Sequence, residues 1–182
     1  ILSGMIPVCT HREALQQVAF AIGGIVDCSR NHKIKIYPLP IAVIGHIGKD
    51  RKFIGHKLKL KPLVTGVEVT AHNYINGEDN PQIFGVYNTN LAPGDKENIL
   101  KVEEATLVSN SNALEVAQRI YDYYQMRHQD EGEILLQGEE CGQIVTIDSL
   151  NEKKIQGVVE KLDIDLTGGF IAVSTITGGP VE

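Results

Sequence analysis

The sequence predicts an α+β protein in which mostly antiparallel sheets are braced by two amphipathic helices. Two segments, 10–23 and 112–128, carry apolar residues at the spacing of a helix. Most of the remaining chain alternates apolar and polar residues in short runs that glycine, proline and asparagine turns separate. Because helices are few and strands are many, neighbouring strands are expected to pair antiparallel.

Both predicted helices open with a capping residue three positions before a glutamate. Thr10 precedes Glu13 in the first helix, and Asn112 precedes Glu115 in the second. The first pair predicts a capping box, and Gly23 predicts a left-handed helix end. The predicted apolar faces are Ala14, Leu15, Val18, Ala19 and Ile22 on the first helix, and Leu114, Ala117, Ile120, Tyr121 and Tyr124 on the second, with Tyr123 outward.

Strands are predicted wherever the sequence alternates. Val67, Val69 and Ala71 are expected to face inward, because residues two apart lie on one face of a strand. The basic stripe 57–61 alternates lysine with leucine, which is typical of a strand with its lysines facing water. The predicted strands are 25–28, 33–37, 41–44, 53–60, 63–74, 83–87, 133–136, 144–148 and the hairpin 155–166 with 170–177, turned at 167–169.

A loop at 88–96 suggests a boundary between two α+β units. The first unit would cover residues 1–90 with the helix 10–23, and the second would cover 91–182 with the helix 112–128. One compact domain is the alternative, since 182 residues suit either arrangement. Ile1 is not a natural start, so the chain is expected to be a fragment of a longer protein.

Composition bounds the class of partner. Hydrophobic residues make up 42% and charged residues 22%, which is enough for a core without disulfides or metal. The net charge of −6, with lysine and arginine scattered, argues against nucleic acid. No apolar run approaches the roughly 20 residues that span a bilayer, so no membrane partner is predicted. Cys9, Cys28 and Cys141 are interpreted as reduced, buried thiols.

The histidines do not form a metal-binding or catalytic pattern. None of the six has a partner histidine at metal-ligand spacing. His46 and His56 could meet across a strand, but no cysteine or carboxylate stands at close spacing to complete a zinc site. Structural or surface histidines are therefore predicted.

Two other groups of residues allow either a chemical role or a simpler structural one. Asp163 and Asp165 share a strand face and could hold Mg²⁺ or Ca²⁺, or could be the solvent face of a strand that buries Leu162, Ile164 and Leu166. Cys9 stands near His11 at a helix start, as a nucleophile and base could, but residues 8–10 also fit an apolar lead-in to the helix. The sequence therefore predicts no catalytic residue, no cofactor and no metal.

Two regions resemble prophage tail proteins of Gram-positive bacteria. The first covers residues 6–24 and the alternating strand 33–37, and the second runs from 117–124 to the glycine hairpin at 167–172. Residues 61–67 add a shorter match. The order of helix and hairpin, then helix and sheet, is similar to the tail hub or baseplate-associated proteins of such phages.

The resemblance implies a structural role in a phage tail. Hub proteins of this kind join the tail tube to the tip, commonly as trimers. The expected partners are therefore other tail and baseplate proteins and further copies of the chain. The expected location is the virion, assembled in the cytoplasm of the bacterial host, and the expected role is not enzymatic.

Two other classes of function remain open from the residues alone. A cell-wall hydrolase would use the pair Asp163 and Asp165, or Cys9 with His11. A carbohydrate-binding module for cell-surface recognition is the other, although the absence of tryptophan weakens it.

Overall fold

Helices and strands of the chain form the α+β fold that the sequence predicts. The computed structural model describes residues 2, 4–27, 33–38, 42–75, 78–92, 94, 96–149, 154–167 and 169–181. The helices are α1 (His11–Ile22) and α2 (Ala113–Gln125), with one 3-10 turn at Lys49–Arg51. The strands are β1 (Gly24–Asp27), β2 (Lys35–Pro38), β3 (Val43–Ile47), β4 (Lys57–Leu60), β5 (Gly66–Ala71), β6 (Tyr74–Ile75), β7 (Glu78–Asp79), β8 (Gln82–Tyr87), β9 (Ile99–Val102), β10 (His128–Leu135), β11 (Ile144–Asp148), β12 (Lys154–Asp165) and β13 (Ile171–Val181).

The chain divides into two compact units, each made of two separate stretches. Unit 1 is Ile1–Pro38 with Leu63–Tyr124, and unit 2 is Leu39–Pro62 with Gln125–Glu182. This division differs from the expected boundary near residue 90. The reason is long-range pairing, because β3 pairs with β11 and β4 pairs with β10, which joins both early strands to the C-terminal sheet.

Local sequence determines the ends of α1. Thr10 accepts a hydrogen bond from the Glu13 N–H, and the Glu13 carboxylate accepts one from the Thr10 N–H at 2.8 Å, which is the predicted capping box. Gly23 closes the helix in the left-handed conformation with φ of 66°. Ile22 was expected to be buried but is 43% exposed. The buried side chains near this end of the helix are Ala19 and Ala21 instead.

The core of unit 1 lies between α2 and a three-stranded sheet. β5 is the central strand, antiparallel to β8 and parallel to β9. Val67, Val69 and Ala71 are fully buried, as the alternation predicts. They pack with Ala113, Val116 and Ala117 of α2 and with Val108.

The second helix differs from its prediction in length and in its buried face. It ends at Gln125, and His128 already belongs to β10, which pairs with β13 along its whole length. Leu114 is 57% exposed, because the buried residues of α2 are Ala113, Val116 and Ala117, which lie on a different face. The Asn112 amide oxygen accepts from the Ser109 N–H instead of completing a second capping box. Tyr124 is exposed and Tyr123 is half-buried, the reverse of the expectation.

Unit 2 is built on one six-stranded sheet. Its order is β3-β11-β12-β13-β10-β4, and every pairing is antiparallel except that of β3 with β11. The segment between β3 and β4 runs along β10, where Lys52 bridges Ile134 and the Phe53 N–H donates to the Glu133 carbonyl. The core side chains are Ile47, Ile134, Val145, Ile147, Ile155, Val159, Ala172 and Ile176.

The last strand is longer than predicted. The last strand was predicted over residues 170–177, but β13 continues to Val181. Gly178 lies opposite Gly157 of β12 in the ladder. A Cβ atom on Gly178 would overlap the Gln156 carbonyl oxygen, so the two backbones approach closely because neither carries a side chain there.

Candidate assembly surface

The β12–β13 hairpin carries an apolar face that the rest of unit 2 leaves uncovered. β10 flanks β13 up to the pair Leu135 with Ile171, and beyond this point the Leu136 N–H bonds the Phe170 carbonyl at 2.7 Å. Towards the turn, Ile164 is 51% exposed, Leu166 71% and Phe170 67%. Ile164 lies opposite Ala172, which is fully buried in the core. The uncovered face therefore continues the core face of the sheet.

The sequence predicted the opposite for this face. Ile164 and Leu166 were expected to be buried under the alternation of 162–166, yet both are exposed and Leu162 alone packs against the core. The hairpin projects past its neighbouring strand, since β10 ends at Leu135 opposite Ile171, and the projecting end lies beyond the core cluster. We call the exposed side chains of Ile164, Leu166 and Phe170 the hairpin face.

The reverse side of the hairpin is charged and bonds to itself. Lys161 Nζ lies 2.6 Å from Asp163 Oδ2, and this contact raises the pKa of Lys161. Asp165 Oδ1 accepts from the Thr167 hydroxyl and N–H, which lowers the pKa of that carboxyl. Each carboxylate of the candidate Mg²⁺ or Ca²⁺ pair thus has a partner within its own hairpin. The two aspartates face water, as one of the two interpretations held.

The histidines that the sequence left open are bound to different carboxylates. His46 Nε2 lies 3.3 Å from Asp148, and His56 Nδ1 lies 2.5 Å from Asp130. His72 Nδ1 lies 2.6 Å from Asp79. Among the described residues, no three histidine, cysteine or acidic side chains gather as ligands for one metal ion.

A buried charged cluster in unit 2 was not predicted at all. Asp130 is fully buried and accepts from Lys52 Nζ at 3.1 Å and contacts His56 Nδ1. Lys52 also donates to the Asp148 carbonyl at 2.7 Å, and His56 Nε2 lies 2.8 Å from the Glu133 carbonyl. Every polar end thus has a partner, so the cluster fastens the segment after β3 to β10.

Arg51, the neighbour of Lys52, also fastens this segment. Its guanidinium donates to the Leu135 and His46 carbonyls and to Glu139 Oε1 at 2.6 Å. Burial raises the pKa of Glu139, but the hydrogen bonds from the Gln137 N–H and Arg51 lower it by more. The Glu139 carboxyl is therefore charged at neutral pH and pairs with the cation.

Two cysteines correct the expectation of buried thiols. Cys9 and Cys141 are both free and exposed, and Cys28 lies outside the described residues. His11 is exposed as well, and Val8 is 108% exposed. The lead-in to α1 therefore does not pack as an apolar staple, because the capping box already fixes the helix start through polar contacts.

His72 makes the stability of unit 1 depend on pH. Burial lowers the pKa of His72, but its hydrogen bonds with Asp79 and the Glu103 carbonyl raise it by more, above the ordinary 6.5. The stabilisation is therefore complete below pH 6.5 and is lost as the pH rises through the higher folded-state pKa. We expect His72→Gln to lower the thermal midpoint most on the acid side of this window.

The check is a series of thermal unfolding curves across that window for the wild type, His72→Gln and His11→Gln. His11 is exposed, so its variant should follow the wild-type profile. A constant difference between the wild type and His72→Gln at every pH would contradict the linkage.

Comparison with known proteins identifies the fold. No protein-family model and no curated protein matches the chain. Among solved structures, a chain of the virion of a native gene transfer agent particle matches with TM-score 0.68 and 12% identity, over 97% of this chain and 40% of that one. A prophage tail protein from Listeria monocytogenes matches with TM-score 0.57 and 13% identity, over 95% and 54%. A tail protein from Neisseria meningitidis matches with TM-score 0.59 and 9% identity, over 96% and 57%.

The chain therefore has the fold of phage tail proteins. It spans 40% to 57% of the length of these three structures. In the described part of the chain, no helix combines the length and the apolar character needed to cross a bilayer.

Proposed function

We propose that this chain is a structural module of a phage or prophage tail, in the hub or baseplate, where it acts in assembly and in attachment of the tail tip. The shared fold supports a role in the tail, and the hairpin face is the observation that supports the role in assembly. The partners are other tail and baseplate proteins and further copies of the chain, as a trimer in the intact protein. Its place is the virion, after assembly in the host cytoplasm.

The hairpin face fits a contact surface better than a free surface. Three large apolar side chains lie side by side at 51% to 71% exposure, while charged groups occupy the reverse side of the hairpin. Contiguous apolar patches on soluble proteins mark contacts with other molecules. Covering these side chains in an assembly would remove their apolar area from water, which favours association.

The proposed role is passive, with no catalysis, cofactor, nucleic acid or membrane in it. Peptidoglycan turnover that Asp165→Asn or Cys9→Ala abolishes would instead establish the hydrolase alternative. A specific glycan bound by the isolated chain would establish the carbohydrate-binding one.

Replacing the hairpin face should weaken self-association of the intact protein. We expect Leu166→Ser with Phe170→Ser to raise the dissociation constant at least about tenfold, because two apolar anchors become polar. Sedimentation velocity over a concentration series measures it. The matched control is Ile54→Ser, which removes an equally large apolar side chain that is 106% exposed elsewhere in unit 2. A wild-type protein that stays monomeric at high concentration and binds no other tail protein would contradict the proposal.

A further inference from the structure

Unit 1 contains a groove beside the open edge of its three-stranded sheet. The groove has a volume of about 340 Å³ and lies between α1 and the end of β9. β9 pairs with β5 on one side, and within the described ranges no strand pairs with its other side. An exposed strand edge beside a helix is the setting in which proteins accept an added strand.

The floor of the groove is apolar. Phe20 of α1 is 37% exposed and faces the groove with Val102 and Ala105. Phe20 follows a buried alanine and lies outside the core cluster of unit 1. An apolar side chain placed on this floor would cover Phe20 and Val102 together, and removing their area from water favours binding.

Gln17 joins the two walls of the groove. It lies on α1, and its Nε2 donates to the carbonyl of Glu104, which follows β9, at 3.1 Å. The two lining segments are therefore held together by a hydrogen bond within the chain.

The rim of the groove is acidic. Glu13 and Glu104 both line it, and both residues are exposed. The Glu13 carboxylate also accepts from Thr10, which lowers its pKa and keeps it charged. Cationic side chains on an incoming segment would therefore be attracted to the rim of the groove.

We propose that this groove binds an extended segment of another protein that alternates apolar and basic residues. The segment lies along the free edge of β9, places an apolar side chain on Phe20 and Val102, and pairs its cations with Glu13 and Glu104. This binding site is separate from the hairpin face and does not depend on the tail role.

The test uses the full chain and a synthetic heptapeptide of alternating lysine and valine, capped at both ends. NMR titration should shift the amide signals of β9 and the side-chain amide of Gln17. The same peptide with glutamate in place of lysine should not bind, because both rim carboxylates would repel it.

Variants place the contact within the groove. We expect Phe20→Ala and Glu104→Lys each to weaken peptide binding about tenfold, the first through lost apolar contact and the second through charge reversal. The matched control is Ile83→Ala on β8, the opposite edge of the same sheet, where a side chain that is 69% exposed can be removed.

Three results would overturn the proposal. These are no shift at millimolar peptide, equal binding of the glutamate peptide, or shifts that centre on β8. Protection of the groove by a second copy of the chain without peptide would also overturn it, because the occupant would then be a copy. Self-association of the hairpin variants does not test this groove. The groove proposal and the proposed function can therefore fail separately.

Discussion

Asp130→Ala is expected to destabilise unit 2 by about 3–5 kcal/mol, the cost of removing one partner from a buried ion pair. Asp130 is fully buried, and the side chains of Lys52 and His56 are only 10% and 3% exposed. Without the carboxylate, the Lys52 ammonium group remains in the interior, where the Asp148 carbonyl is its one remaining acceptor among the described residues. Urea unfolding followed by circular dichroism should show a lower midpoint with an unchanged slope.

The adjacent residue supplies the control. Glu131 pairs with Lys59 on the other face of β10, where the two side chains are 39% and 56% exposed. Glu131→Ala should change the midpoint far less, since water replaces an exposed partner. An equal decrease of the urea midpoint in the two variants would show that burial of the Asp130 cluster adds nothing to the free energy of unfolding. Hydrogen exchange of the β10 amides would assign the loss to unit 2, the compact unit that contains Asp130.

Gly178→Ala is expected to cost about 3 kcal/mol, at the upper end of typical overpacking penalties. The added Cβ would overlap the Gln156 carbonyl oxygen and lie 2.6 Å from the Gly157 Cα. Both atoms belong to the backbone of β12, so they can move only if the ladder between β12 and β13 opens. Thermal or urea unfolding measures the loss.

Gly179→Ala tests whether the close approach is the cause. A Cβ on Gly179 meets nothing within 4 Å, although this residue follows Gly178 in the same strand. Its effect should stay within about 0.5 kcal/mol. Neither glycine has a positive φ among the glycines described, so torsional strain does not separate them. A similar loss in both variants would mean that strand propensity, rather than contact, governs the position.

The features that the sequence predicted are those set by neighbours in the chain. The capping box of α1 needs only Thr10 and Glu13, three residues apart, and it forms as predicted. The inward positions of β5 follow from alternation alone, and β11 covers 144–148 as predicted. The fold class followed from the same local patterns, because they predict two helices among many strands, although β7 and β9 were not predicted as strands.

The features that were missed depend on partners far along the chain. Asp130 stands in a polar stretch that looks exposed, and its burial arises from His56, 74 residues earlier. The strand predicted at 41–44 lies at Val43–Ile47 in the structure, because pairing with β11 determines where it begins and ends. The hairpin face was assigned to the core because alternation does not reveal where a neighbouring strand ends. The available signal in the sequence was Phe170, a large apolar residue directly after Gly169.

The division of each unit into two stretches has a consequence for synthesis on the ribosome. β3 and β4 are made early, but their partners β11 and β10 follow only after the whole of 63–124. The bond from the Lys49 N–H to Asp148 spans 99 residues, a separation that slows folding through the entropy of loop closure. All of unit 1 is therefore synthesised while β3 and β4 of unit 2 are still unpaired. During that interval their open edges expose the nascent chain to aggregation.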